Sequence, residues 1–82
     1  MVRDGLLIFN SIHKVMRAEG LLKRGGCIVK IMPVPRQLSS DCGLSIAFEL
    51  SQRREVQELL EEEQCVPDET YDVSEGVYKR LK

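Results

Sequence analysis

The stretch Leu44 to Leu50, LSIAFEL, alternates without a break. Leu44, Ile46, Phe48 and Leu50 fall on one side, and Ser45, Ala47 and Glu49 on the other. A period of two is the mark of a strand with one buried face. A strand of this kind needs neighbours and a covering layer, so the patterned segments around it must supply both.

Gly5 to Asn10, GLLIFN, is short and apolar on both sides, which predicts a buried strand. Ser11 is placed to cap a helix over IHKVMRAEGLLKR. Ile12, Val15, Met16, Ala18, Leu21 and Leu22 make its expected inner side. Gly20 weakens that helix by about 1 kcal/mol relative to alanine, and is expected to permit close packing. Gly25-Gly26 ends it, with Lys23 and Arg24 suited to the C-terminal dipole. CIVKIM is the second strand. Pro33 and Pro35 then interrupt ladder hydrogen bonds, which places this strand at a sheet edge. Ser51 is expected to cap a second helix, QRREVQELLEEEQ, with Val56, Leu59 and Leu60 inward. Its acidic end, Glu61 to Glu63, opposes the dipole and reads as a solvated helix end. Pro67 closes a turn, and ETYDV supplies a short fourth strand. Val77, Tyr78 and Leu81 stand at helical spacing, so residues 74–82 are expected to form a tail with a short helix.

The order βαββαβ predicts an α+β fold: a ferredoxin-like sandwich over residues 1–73, with an antiparallel sheet and two helices on one face. The strand order expected for it is 4-1-3-2. Right-handed crossovers then bring three junctions to one end: the strand 1–helix 1 junction, the loop after strand 2, and Cys65 after helix 2. Cys27 belongs at the opposite end.

A chain of 82 residues, 43% of them hydrophobic, supports one modest core and no deep cavity. Function should then sit on a surface, in a loop or between copies. Twelve basic against thirteen acidic residues give a net charge of −1, with no long-range attraction to nucleic acid or acidic membranes. Four aromatic residues and no tryptophan make no stacking platform for bases. The apolar run Leu6 to Phe9 is too short for a signal core or a membrane span, so a cytoplasmic location with reduced thiols is expected. Three cysteines without a CxxC spacing and one histidine argue against a disulfide framework, and supply too few ligands for a metal. No cofactor is implied.

The segment Pro33 to Gly43, PVPRQLSSDCG, is longer than most strand connections and contains a thiol. Topology places Cys42 near the N-terminus of the first helix, with His13, and Arg36 lies in the same loop. Helix N-termini and cations lower a thiol pKa, and the thiolate is the reactive form. Gly43 offers positive φ or a close backbone approach. Ser39 and Ser40 offer hydroxyls and amides to an anion or a bound sulfur atom. Asp41 works against the thiolate if it turns inward, and otherwise braces the turn. Cys42 also has a plain reading, as a small apolar residue packing the loop onto the third strand.

The same loop, with His13 and the Ala18-Glu19 pair, resembles a family of small bacterial proteins of unknown function described as selenium/sulfur (Se/S) carrier-like. The resemblance covers about residues 6–73 and rests above all on PVPRQLSSDCGLSIAF. It implies a carrier thiol at Cys42, surrounded by Pro35, Arg36, Ser39, Ser40 and Gly43. It also implies transfer of sulfur or selenium between a donor and an acceptor protein. Such a chain is a co-substrate more than an enzyme. The other reading is a binding module for a small anion or a protein, with Cys42 structural. Finally, the first strand is apolar on both faces, so one of the pairs Leu6/Ile8 and Leu7/Phe9 must point away from the helices. Together with the apolar tail, this predicts a homodimer or a tail folded over the open face.

Overall fold

The computed structural model describes residues 4–38 and 43–81. Five strands form one antiparallel sheet in the order β2-β3-β1-β4-β5. They are β1 (Gly5–Ile8), β2 (Val29–Pro33), β3 (Leu44–Phe48), β4 (Glu69–Ser74) and β5 (Val77–Arg80). Two helices, α1 (Ile12–Arg24) and α2 (Arg53–Glu62), complete the α+β architecture. The four-stranded ferredoxin-like order expected from the sequence is not the order of this sheet, because β5 extends it beyond β4. Pro33, the last residue of β2, and Pro35 just beyond it agree with the place of β2 at one edge.

Both helices pack on the same face. Leu7, Phe9, Ile46 and Phe48 from the sheet meet Val15, Ala18 and Leu22 of α1 and Val56 and Leu60 of α2. Helix α1 has the bounds that its sequence predicts. Ser11 Oγ accepts from the Lys14 amide at 3.2 Å, and the Gly25 amide closes back onto the Leu21 carbonyl. Two of its expected inward residues are not inward: Ile12 is 48% exposed and Met16 54%. Met16 follows Val15 and is turned about 100° away from it, while Ile12 is the first residue of the helix. Gly20 likewise permits no close packing, since a Cβ there would meet nothing within 4 Å.

Ser51 does not cap α2. Leu50–Gln52 form a 3₁₀ turn ahead of it, and the Leu50 amide donates to Asp4 Oδ1 at 2.8 Å. The Gln52 side chain is used elsewhere, accepting from the Ile28 amide at 2.9 Å. At the acidic end of α2, Arg17 donates to the Glu63 carbonyl at 2.9 Å and lies 3.7 Å from its carboxylate. A cation from α1 thereby answers the dipole that Glu61 to Glu63 oppose.

The tail is a strand where helical spacing pointed to a helix. Glu75 and Gly76 have φ of 51° and 78°, the left-handed pair of a two-residue hairpin, and Ser74 pairs with Val77. Of the apolar tail residues, Tyr78 packs on the open face, whereas Val77 is exposed and Leu81 lies on the helix side of the sheet. Leu6, Ile8 and Ala47 point away from the helices and are nonetheless buried, packed with Tyr71, Val73 and Tyr78 and with Val34 and Leu38. The tail therefore continues the sheet and does not fold over its face as expected. Leu6, Ile8 and Ala47 are buried within the single chain and give no support to the expected homodimer.

Candidate functional site

Three junctions gather at one end of the sheet, as the crossover argument requires. Ile8, the last residue of β1, pairs with Ser45 and with Glu69. Ser45 also pairs with Met32, one residue before the end of β2. The β1–α1 junction, the β2–β3 loop and the start of β4 therefore share that end. Cys65 belongs to it, its thiol donating to the Lys14 carbonyl at 3.6 Å. Cys27 precedes β2 and lies toward the other end, where Val29 pairs with Phe48 and Phe48 with Gly5.

The 34–43 loop is fastened at its base. The Val34 amide donates to the Gly43 carbonyl at 3.0 Å, extending the β2–β3 pairing by one bond. Gly43 has φ of 74°, a conformation glycine adopts without strain. The Leu38 amide donates to the Pro35 carbonyl at 3.0 Å, so Pro35 to Leu38 form a tight turn with Arg36 and Gln37 at its exposed corners. Val34 and Leu38 turn onto the open face of the sheet. Beneath the loop, the fully buried Ser45 Oγ donates to the Met32 carbonyl at 3.1 Å and stitches β3 to β2.

Of the residues expected at the site, Pro35, Arg36, Gly43 and His13 are described. Arg36 and His13 are both exposed, and their side chains make no hydrogen bond or ion pair with another described residue. His13 is the second residue of α1 and so stands at the loop's end of the sheet. Ser39, Ser40, Asp41 and Cys42 lie outside the described residues. The other two thiols are placed clearly: Cys27 is 6% exposed and Cys65 3%, and both are free. Burial pushes the Cys27 thiol above the ordinary cysteine range, and the nearby Glu55 carboxylate pushes the same way.

One polar group at this end escaped the sequence reading. Tyr71 donates its hydroxyl hydrogen to Glu69 Oε1 at 2.8 Å, and Arg80 lies 3.9 Å from the other oxygen of that carboxylate. The bond to Glu69, followed by burial and the carboxylate's charge, raises the tyrosine pKa, with Arg80 opposing. Glu69 pairs with Ile8 and Tyr71 with Leu6, so the group shares the open face on which Val34 and Leu38 rest. The period-two spacing of Glu69, Tyr71 and Val73 was the available signal. It becomes legible only once β5 brings Arg80 opposite Tyr71.

No group of three or more histidine, cysteine or acidic residues among the described residues could hold a metal ion. Among the same residues, no helix is long and apolar enough to cross a membrane.

Fold and loop together define a small α+β protein in which the 34–43 segment joins an edge strand to its neighbour at one end of an antiparallel sheet. The chain belongs to the Se/S carrier-like family: the family model described as "Putative Se/S carrier protein-like" matches residues 4–72, from the start of β1 into β4 and across the whole 34–43 loop. No curated protein and no solved structure matches the chain significantly.

Proposed function

We infer that this protein carries sulfur or selenium on Cys42 and hands it from a donor protein to an acceptor. The observation that carries this reading is the burial of the other two thiols, at 6% and 3% exposure. In a family named for chalcogen transport, a buried thiol cannot meet a partner protein, which leaves the loop cysteine for the exchange. Family membership across the loop supports the same assignment.

The step balances without a cofactor. The Cys42 thiolate attacks the terminal sulfur of a persulfide on the donor. The donor's S–S bond breaks, its electron pair leaves with the donor thiolate, and a new S–S bond forms on Cys42. An acceptor nucleophile then takes the terminal sulfur, and the Cys42 thiolate is restored. A selenium atom would be held as a selenosulfide. The chain acts as a co-substrate between two proteins, and the 34–43 loop is the surface they share.

Each neighbour has a role in this reading. Arg36, exposed on the turn, favours the thiolate by its charge, and His13 adds a polar group from the first turn of α1. Pro35 and Gly43 hold the loop's two ends, and Ser39 and Ser40 offer hydroxyls and amides to the bound chalcogen. We read the chain as one domain, with β4-β1-β3-β2 and the two helices forming a ferredoxin-like unit and β5 added to its edge.

Alkylation rate against pH, on a variant with Cys27 and Cys65 changed to serine, tests the proposal. A thiol titrating below the free cysteine range supports it, and Arg36→Ala should move that titration upward. A Cys42 that reacts only when the chain is unfolded would return it to the role of a packing residue in a binding module.

A further inference from the structure

A concave feature lies on the helix-covered face, opposite the face on which Val34 and Leu38 rest. There α2 leaves the β4 side of the sheet uncovered, and a groove of about 260 Å³ remains between helix and strand. Leu7 and its register partner Thr70 form part of the floor, and Val56 and Leu60 form the helix wall. Val66 and Leu81 close the end nearest the α2 C-terminus. Leu81 is held there by its amide, which donates to the Thr70 carbonyl at 2.8 Å.

The rim is polar and graded. Arg53, Gln57 and Glu61 follow one another at four-residue spacing along α2. Arg53 is half-buried in the first turn, and among the described residues it has neither an ion pair nor a hydrogen bond from its guanidinium. Asp72 and Lys79, a register pair of opposite charge further along β4 and β5, offset each other in net charge. Glu61, at the far end, disfavours an anion there. An anionic group entering the groove is therefore directed to Arg53.

We propose that this groove binds a small amphipathic carboxylate, with its carboxylate on Arg53 and its apolar body along Val56 and Leu60 toward Leu81. Glu61 lies eight positions beyond Arg53, roughly 12 Å along the helix, which suits an extended medium-chain acid better than a compact ligand. The volume is at the small end for ligand sites, which also points to an occupant of about ten non-hydrogen atoms. The site lies on the face opposite Val34 and Leu38 and does not depend on the carrier reading.

The test is an amide NMR titration of the full chain with octanoate, kept below its micelle-forming range, with octylamine as the oppositely charged control. The expected result is a saturable shift confined to amides near Gln57, Val66, Thr70 and Leu81, absent with octylamine. Arg53→Gln should weaken octanoate binding about ten-fold, the loss of one charge-assisted pair. Thr70→Phe, which fills the floor, should abolish it, and the spectrum itself reports whether either variant is folded. Equal responses to the two probes, or octanoate binding unchanged in Arg53→Gln, would overturn the proposal. So would concentration-dependent shifts of the same amides without octanoate, which would assign the groove to a second copy of the chain.

Discussion

The thiol of Cys65 donates to the backbone carbonyl of Lys14 across 3.6 Å, tying the α2–β4 junction to the first turn of α1. Its own amide donates to the Leu60 carbonyl at 2.8 Å, so the residue is held from both sides. This thiol is a structural part of the end of the molecule at which the 34–43 loop lies. Cys65→Ala should cost about 1–2 kcal/mol, from a small cavity and a lost weak bond. Cys65→Ser, whose hydroxyl can take the same acceptor, should cost less. Denaturant unfolding of the two variants would show the difference, and an alanine variant as stable as wild type would deny the thiol this role.

Two glycines should respond in opposite directions. A Cβ on Gly5 would come within 2.5 Å of the Phe48 ring, its cross-strand partner. Gly5→Ala should therefore destabilise by about 1–3 kcal/mol through overpacking. A Cβ on Gly20 meets nothing, so Gly20→Ala should stabilise by about 1 kcal/mol through helix propensity alone. Thermal or denaturant midpoints decide both.

The cover of the open face makes a further prediction. Tyr78 and Leu38 both pack on the Leu6, Ile8 and Ala47 cluster, one from β5 and one from the loop. Tyr78→Ala should cost about 1–3 kcal/mol. Leu38→Ala should mainly release the loop, seen as faster amide exchange at Arg36 and Gln37 with little change at β4. Equal exchange in Leu38→Ala and wild type would mean that this contact does not hold the turn.

Alkaline stability should depend on Cys27. Its pKa is raised in the folded state, by burial first and by Glu55 second. The folded chain therefore keeps this proton at a pH where the unfolded chain has lost it. Stability falls as pH rises above the ordinary thiol range, up to the folded pKa, because the unfolded state binds fewer protons there. Cys27→Ala should flatten that part of the profile. Tyr71 contributes a slope of the same sign at higher pH, which Tyr71→Phe separates.

Much of this fold can be read from local pattern. Ser11 and Gly25 mark the two ends of α1, the alternation of LSIAFEL gives strand β3 over its first five residues, with Leu50 already in the 3₁₀ turn, and Pro33 and Pro35 put β2 at an edge. What sequence hides is what neighbours decide. Ile12 and Met16 match the apolar pattern of α1, yet the helix turns Val15, Ala18 and Leu22 to the sheet and leaves those two outside. Val77, Tyr78 and Leu81 satisfy a helical spacing equally well as a strand. The Glu75-Gly76 turn and the free edge of β4 decide for the strand. At the site, the loop's prolines and glycine were legible, whereas its seat on the open face depends on Val34 and Leu38 packing against the cluster of Leu6, Ile8 and Ala47 from β1 and β3. Ser39, Ser40 and Cys42 remain sequence readings.

The central claim is that Cys42 accepts and releases a chalcogen. Incubating the folded chain with a small-molecule persulfide, then locating the added sulfur by peptide mass spectrometry, tests it most directly. The account predicts one added sulfur atom on the Cys42 peptide, none on the Cys27 or Cys65 peptides, and none in Cys42→Ser. It also predicts that the sulfur is removed by an added thiol acceptor. Sulfur spread over all three cysteines, or absent from Cys42 while the protein is folded, would contradict it.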